Sequence, residues 1–233
     1  DWNKTYAAFR LESETYPGLT ARDGFYTKKE FIDLQKLAEN VFVEIIPEID
    51  FPAHCASALA AYNDLACREI YCEVPDFFGG TIPESRGMKD WNRTLCLGKD
   101  EVLSFVYDVI DEVAELFPFP YFHIGGDEAP QNEWKKCPKC QAKIKELGLE
   151  DKDGFKAEHY LQSYVMNRMT SFLEKQGKKI IVPKVCLVEF LTDAGNYQTP
   201  SPTVPNNLWT YEDGCDSVGV ARETEGQLQK KGA

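Results

Sequence analysis

The sequence predicts an α/β protein of the (β/α)8 TIM-barrel type, with part of the barrel missing from the 233 residues. Apolar stretches of strand length repeatedly follow amphipathic stretches of helix length, and this alternation produces a parallel sheet covered by helices. Acidic residues stand where two of these strands end, at Asp50 and at Asp127. Barrel enzymes collect their reactive groups at the carboxyl ends of their strands, so a barrel is favoured over a doubly wound sheet. No glycine-rich phosphate loop follows any predicted strand, which also disfavours the doubly wound fold.

The predicted elements follow one another as helix and strand units. The first helix, Lys28–Asn40, carries an apolar stripe that we expect to be buried, formed by Phe31, Ile32, Leu34, Leu37 and Ala38. The remaining predictions are a strand at 41–49, a helix at 101–116, a strand at 121–124, a helix at 160–176, strands at 179–185 and 204–209, and a polar helix at 218–231. A closed barrel has eight strands in about 250 residues. Residues 1–233 are therefore expected to form a single, partial domain.

Composition limits the classes of partner. The formal net charge is -12 and the pI is about 4.8. Nucleic acid and anionic membrane surfaces are bound by clustered Lys and Arg side chains, so neither is an expected partner. No stretch approaches the roughly 20 apolar residues of a membrane span. A neutral or cationic ligand fits this chain better.

The cysteine content bears on the compartment. Eight cysteines are more than a cytosolic protein of this length usually carries, and far fewer than a disulfide scaffold contains. The sequons at Asn3 and Asn92 are compatible with glycosylation. We therefore expect a protein that is secreted, or that lies in the periplasm or in a lysosome-like compartment.

The most informative stretch is 122–130, Phe-His-Ile-Gly-Gly-Asp-Glu-Ala-Pro, in which a strand breaks at two glycines and then presents two acids. Glycines allow a sharp turn and the close approach of a ligand, so both Asp127 and Glu128 can face one pocket. Two carboxyl groups in unlike environments let a site keep one protonated and the other ionised. Taken alone, such an acid pair is more often the cap of a following helix, because acids are favoured at helix N-termini.

The wider sequence favours the interpretation of Asp127 and Glu128 as a catalytic pair over their interpretation as a helix cap. The stretch resembles the His-x-Gly-Gly-Asp-Glu strand end of glycoside hydrolase family 20, the β-N-acetylhexosaminidases. Other segments resemble the family in the same order: 9–20 (FRLESETYPGLT), 45–54 (IIPEIDFPAH), 58–67 (ALAAYNDLAC), 95–106 (LCLGKDEVLSFV) and 134–148 (WKKCPKCQAKIKELG). The resemblance implies a TIM-barrel catalytic domain that hydrolyses terminal N-acetyl-β-hexosamine residues and needs neither a cofactor nor a metal. Its partner would be a carbohydrate, a glycoside of N-acetylglucosamine or N-acetylgalactosamine.

The resemblance also implies a mechanism in which the substrate's own acetamido group is the nucleophile, outside the usual two-carboxylate retaining scheme. Glu128 would be the general acid that protonates the leaving glycosidic oxygen and later activates water. Asp127 would accept a hydrogen bond from the acetamido N–H and stabilise the positive oxazolinium that forms. A raised pKa at Glu128 would be needed, so a partly desolvated pocket is expected around it.

Four further side chains are candidates for substrate binding or for support of the catalytic pair. His54 matches a histidine that lies beside the acetamido-orienting aspartate, although a lone histidine after a strand is ordinarily a polar loop residue. Trp209 matches a tryptophan that ends a later strand and walls the sugar pocket, and a core tryptophan is an equally good interpretation. Asp50 and His123 belong to the two matching strand ends.

The chain departs from the family pattern in several places. Ala53 stands where glycine is usual, so the turn before His54 is expected to differ. The stretch 180–185, Ile-Ile-Val-Pro-Lys-Val, replaces a strand end that normally carries a tryptophan followed by acids. The first strand and the last two strands of the barrel are not identified. A true half barrel would expose strand edges and an apolar face.

The Cys137-Pro138-Lys139-Cys140 motif has the spacing of a zinc-binding pair, but a tetrahedral site needs two further ligands. The sequence has no second such motif and only three histidines, so zinc is not expected. A local disulfide or two free thiols is the preferred interpretation, and a bridge between Cys67 and Cys96 is an alternative.

Two other functions compete with hydrolysis. A glycan-binding protein could keep the fold and lose turnover, an idea motivated by Pro183 and the missing rim residues. An unrelated barrel enzyme could use Asp127 and Glu128 to hold a metal ion, and its activity would then be sensitive to chelators.

Overall fold

The computed structural model describes residues 9–22, 24–69, 94–127, 129–152 and 154–182, together with the backbone of 183, 190–191, 197–198 and 209–211. Its helices are α1 (Lys28–Asn40), α2 (Ala56–Ala61), α3 (Asp100–Leu116), α4 (Asn132–Lys136), α5 (Pro138–Glu146) and α6 (Ala157–Lys175), with a short 3-10 helix at Asn63–Leu65. Its strands are β1 (Tyr121–His123), β2 (Lys179–Pro183), β3 (Phe190–Leu191), β4 (Tyr197–Gln198) and β5 (Trp209–Tyr211). None of the helices in these ranges has the length and apolar composition that crossing a bilayer requires.

A parallel sheet organises the fold. β1 pairs in parallel with β2, and β2 pairs in parallel with β5. On the other side of β1, a single parallel bridge joins Glu48 to His123. The chain segment around Glu48, β1, β2 and β5 therefore run side by side in the same direction, as in one arc of a barrel. The short β3 and β4 form a separate antiparallel pair.

The core lies between this sheet and two long helices. α3 and α6 turn apolar faces inward, and leucine, valine and methionine side chains on α6 are fully or almost fully buried. They share one apolar cluster with Phe122 of β1 and Ile180 of β2. Complete burial of one such side chain is worth about 1.5–3 kcal/mol, so these layers hold the strand ends in place.

The predicted helices are confirmed to within a few residues where the structure describes them. The strand predicted at 121–124 is confirmed as β1, and that at 179–185 as β2 over Lys179–Pro183, with 184–185 outside the described residues. The strand predicted at 204–209 overlaps β5 only at Trp209, and 204–208 lies outside the described residues. The polar helix predicted at 218–231 also lies outside them.

The strand predicted at 41–49 is wrong for most of its length. The N–H groups of Val41, Phe42 and Val43 bond to carbonyls in the last turn of α1, so these residues form the C-terminal cap of the helix and not a strand. Phe42 has a φ of 59° and is 98% exposed. Only the end of this apolar run joins the sheet, through the bridge at Glu48. Apolar composition alone did not reveal that the helix terminus takes up the first part of the run.

The buried face of α1 also differs from the predicted stripe. Thr27 and Glu30 form a capping box that begins the helix. Phe31, Gln35 and Ala38 are buried, whereas Ile32, Leu34 and Leu37 are exposed. The helix contacts α3 through a narrow face, where the Gln35 amide donates to the Leu116 carbonyl at 2.5 Å. A narrow contact of this kind buries one side chain per turn and leaves the flanking apolar residues uncovered by the described part of the chain.

Candidate active site

Two neighbouring chain segments deliver acidic side chains to the same end of the sheet. The Ile49 N–H donates to the His123 carbonyl at 2.9 Å, and the His123 N–H donates to the Pro47 carbonyl at 2.9 Å. The parallel pairing means that the residues following Ile49 and His123 emerge on the same side. Asp50 and Asp127 are the carboxylates carried by these two ends.

A glycine turn lies directly against Asp50. Gly125 and Gly126 both have positive φ, 60° and 110°, a conformation that glycine adopts without strain. The Gly126 N–H donates to Asp50 Oδ1 at 2.8 Å, and Asp50 is fully buried. A Cβ atom placed on Gly125 would lie 1.9 Å from Asp50 Oδ1 and 2.6 Å from Asp50 Cα. The turn therefore needs glycine for its conformation and for its closeness to Asp50.

Replacing Gly125 with alanine is expected to destabilise the protein by about 3 kcal/mol, because overpacking of a core costs about 1–3 kcal/mol and a left-handed backbone adds about 1–2 kcal/mol. Gly148→Ala is the matched control. Gly148 has a φ of 62°, and a Cβ atom placed on it would have no other atom within 4 Å. Thermal unfolding of both variants should show the larger loss at Gly125. Equal losses would mean that the contact with Asp50 does not limit the turn.

Two buried polar side chains hold the rest of this turn. The Gln162 amide on α6 donates to the Gly126 carbonyl at 2.8 Å. His123 Nδ1 accepts the Gly125 N–H at 3.1 Å, so that nitrogen carries no proton in this arrangement. Its 3.9 Å approach to Glu48 is then not an ion pair. His123 thus supports the turn, and Gln162 is a positioning residue that the sequence interpretation missed. The sequence feature that could have indicated Gln162 is its position among the buried apolar residues of α6.

His54 lies between two carboxylates. Its Nε2 is 3.5 Å from Asp127 Oδ2 and 3.9 Å from Asp50 Oδ2. The residue has a φ of 53°, directly after a turn that contains the cis Phe51–Pro52 peptide bond. Ala53, which replaces the glycine usual in the family, is buried in this turn. The predicted proximity of His54 to Asp127 is therefore seen in the geometry.

The surroundings of Asp127 favour its ionised form. Burial alone would raise the pKa of Asp127, but the neighbouring His54 imidazole outweighs burial and holds the pKa below its ordinary value of 3.8. About a quarter of the side chain, 23%, remains exposed. An ionised carboxylate with an open side can accept a hydrogen bond from a ligand N–H and can stabilise a nearby positive charge.

Glu128 lies outside the described residues. Trp209 is described only by its backbone, which pairs with Ile181 in the register of β2 and β5. The resemblance predicts that Trp209 ends its strand, whereas β5 begins at Trp209 and continues to Tyr211. The strand pairing places Trp209 at the level of His123, two strands away in the sheet.

Asp50, His54 and Asp127 also have the donor types of a metal site, and one atom from each lies within 4.8 Å of the others. The lowered pKa of Asp127 and the position of His54 are equally those of a carboxylate–histidine–carboxylate relay. Both distances start at the same ring nitrogen of His54, so His54 orients its nearer partner, Asp127, while Asp50 is held by the Gly126 N–H.

A family model described as glycosyl hydrolase family 20, catalytic domain, matches residues 5–212. A beta-hexosaminidase of Porphyromonas gingivalis is 40% identical over 188 residues, which are 75% of this chain and 22% of that protein. A beta-hexosaminidase of Akkermansia muciniphila is 33% identical over 129 residues, covering 55% of this chain and 24% of that protein. The chain thus spans about a quarter of the length of these curated relatives.

Solved structures give the same relationship. A β-N-acetylhexosaminidase from Bacteroides fragilis superposes with a TM-score of 0.64 at 28% identity, over 88% of this chain and 37% of that one. An exo β-N-acetylglucosaminidase from Vibrio harveyi, solved with N-acetylglucosamine, superposes with a TM-score of 0.66 at 25% identity, over 90% of this chain and 32% of that one. The catalytic domains of these neighbours are TIM barrels, so the predicted fold class is confirmed.

Proposed function

The chain belongs to glycosyl hydrolase family 20, and from this premise we propose that the protein hydrolyses terminal, non-reducing N-acetyl-β-hexosamine residues of glycans. The observation that carries the proposal is the partly exposed arrangement of His54 and Asp127 beside the buried Asp50 and its glycine turn. It presents an ionised carboxylate that is fixed in position. That is the group that an acetamido N–H requires as its hydrogen-bond acceptor.

The relay can direct the chemistry through the substrate's acetamido group. Asp127 accepts the acetamido N–H, which turns the acetamido oxygen toward the anomeric carbon. As that oxygen attacks, the bond to the leaving oxygen breaks and the acetamido group becomes a positively charged oxazolinium ring. A carboxylate beside a developing positive charge lowers the barrier, and its effect is larger in a partly desolvated site than in water.

Glu128 is the proposed proton donor to the leaving oxygen. The motif places it directly after Asp127. After the leaving group departs, the same carboxylate would take a proton from the water that opens the oxazolinium ring at the anomeric carbon. Two displacements at that carbon give net retention of its configuration. General acid–base catalysis of this kind contributes about 10²–10⁴-fold to the rate.

The proposed function is tested by comparing two aryl glycosides that differ only at carbon 2 of the sugar. With the whole protein, an aryl N-acetyl-β-glucosaminide should be hydrolysed with retention, and the corresponding aryl β-glucoside should be hydrolysed at least about 10²-fold more slowly, because it lacks the nucleophile. A thiazoline analogue of the oxazolinium should inhibit tightly. The galactosamine glycoside in the same assay reports the preference at carbon 4.

Three outcomes would contradict the proposal. Similar hydrolysis of both glycosides would show that the acetamido group is not the nucleophile. Binding of N-acetylglucosamine oligomers without any turnover would assign the protein to the glycan-binding alternative. Loss of hydrolysis on chelation at an unchanged melting temperature, with recovery on adding metal, would instead favour a metal at the relay.

A further inference from the structure

Four cysteines from three separate parts of the chain lie close together in space. None of them is adjacent in sequence to Asp50, His54 or Asp127. Cys67 follows the 3-10 helix, Cys96 precedes α3, and Cys137 and Cys140 stand at the beginning of α5. One sulfur from each lies within 4.8 Å of all the others. Cys96, Cys137 and Cys140 are buried, and Cys67 is half-buried.

Three of the six sulfur separations match the edges of a tetrahedron around a metal ion, and the other three are no longer than 4.8 Å. Cys67 Sγ is 3.8 Å from Cys140 Sγ, and Cys96 Sγ is 3.7 Å from both Cys137 Sγ and Cys140 Sγ. In a tetrahedral zinc site the Zn–S bonds are about 2.3 Å long, which makes the edges between sulfurs about 3.8 Å. Bonded disulfide sulfurs lie only about 2.05 Å apart. The five cysteines in the described part of the chain are all free.

We propose that Cys67, Cys96, Cys137 and Cys140 bind one Zn²⁺ ion as a closed, structural tetrathiolate centre. Each thiol loses its proton to solvent on binding, so the centre carries a net charge of -2. Four protein ligands leave no open position, so the ion takes no part in the hydrolysis. The prediction against zinc rests on the lack of two further ligands, and Cys67 and Cys96 provide them from distant positions in sequence.

The backbone around the sulfurs is shaped for such a centre. Gly98 follows the ligand Cys96 by two residues. Gly98 also lies so close to the start of α5 that a Cβ atom there would sit 2.2 Å from the Cys140 nitrogen.

The segments that carry the ligands are tied together independently. The Lys99 ammonium donates to the Ala66 carbonyl at 2.6 Å, which joins the residues beside Cys96 to those beside Cys67. The Trp134 indole N–H donates to the Leu95 carbonyl at 2.9 Å, which joins the α4 helix to the segment beside Cys96. These contacts hold the four thiols near one another before an ion arrives.

The cysteine centre is connected to the chain segments that carry Asp50, His54 and Asp127. The Leu95 N–H donates to the Pro52 carbonyl at 2.8 Å, and Pro52 belongs to the turn between Asp50 and His54. Cys137 ends the stretch 129–137 that follows the two acids in sequence. An ion bound by Cys96 and Cys137 would therefore brace both chain segments that carry the relay.

The test is the metal content of the whole protein, purified under reducing conditions after expression with zinc. Elemental analysis should find one zinc ion per chain. Cys96→Ser and Cys140→Ser should lose most of it. Cys55→Ser is the matched control, because Cys55 is a buried thiol in no disulfide, donates to the Ala53 carbonyl and lies outside the cluster. That variant should keep its zinc.

A second measurement covers the case in which the ligand variants do not fold. Cobalt bound to the wild-type protein should show the intense visible and sulfur charge-transfer bands of a tetrahedral tetrathiolate. Chelation of the zinc-loaded protein should lower its melting temperature and expose four additional thiols to alkylation. A protein without metal, a protein that holds iron in place of zinc, or one in which mass spectrometry finds these cysteines as disulfides would overturn the proposal. None of these results depends on glycoside hydrolysis, so the centre and the proposed activity can fail separately.

Discussion

Glu128→Gln is expected to lower kcat/KM for an N-acetylglucosamine disaccharide by about 10²–10⁴-fold, the usual contribution of a general acid. Glutamine keeps the size of the side chain and can still donate a hydrogen bond, but it cannot transfer a proton to the departing oxygen. A sugar alkoxide is a poor leaving group, so the bond to it breaks slowly without that proton. Initial rates on the disaccharide, for the variant and the wild type, measure the effect.

The leaving group provides an internal control for Glu128. A nitrophenolate leaves without protonation, so formation of the oxazolinium from a nitrophenyl glycoside should be much less impaired than from the disaccharide. The hydrolysis of the oxazolinium still needs a base, so turnover should show a burst followed by a slow phase. A variant that keeps most of its activity on both substrates would show that Glu128 is not the acid.

The parts of the fold that the sequence predicted well are those where one periodic pattern dominates. The α3 helix and β1 follow from the spacing of apolar residues and from the glycines that end the strand. The apolar run at 41–49 was misassigned because the end of α1 and the entry to the sheet are both apolar there, and composition does not separate them. The direction that α1 faces depends on α3, which is distant in sequence.

The residues of the site likewise divide into those that the sequence indicated and those that it missed. The closeness of Asp127 and His54 was predicted because each stands in a short segment that resembles the family. Gln162 was missed because its hydrogen bond to Gly126 joins residues 36 positions apart. The cysteine centre was missed for a related reason, since Cys67 and Cys140 are 73 positions apart and meet only when the helices pack. Contacts of this kind are set by tertiary packing, which a single sequence does not display.

Asp127→Asn is expected to lower kcat for N-acetyl-β-glucosaminides by about 10²–10³-fold, the scale on which one preorganised electrostatic contact acts. Asparagine has nearly the same shape and can still accept the acetamido N–H, so substrate binding should change less than turnover. What it lacks is the negative charge opposite the oxazolinium. The thiazoline inhibitor should bind more weakly to the variant for the same reason. Asp33→Asn, at an exposed position of α1, is the matched control and should have wild-type kinetics.

The dependence of this step on pH follows from the sign of the pKa shift. The pKa of Asp127 is lowered below 3.8 in the folded protein, so the carboxylate is ionised above that pH and is lost only as the pH falls through its lowered pKa. His54→Gln removes the group that outweighs burial. The pKa of Asp127 should then rise, and the acid limb of the kcat/KM profile should move to higher pH. If the acid limb of the His54→Gln profile stayed at the same pH while kcat/KM fell, His54 would support the conformation of its turn and would not control the charge of Asp127. The same profile measured on Asp127→Asn should lack the limb altogether, because the group that titrates has been removed.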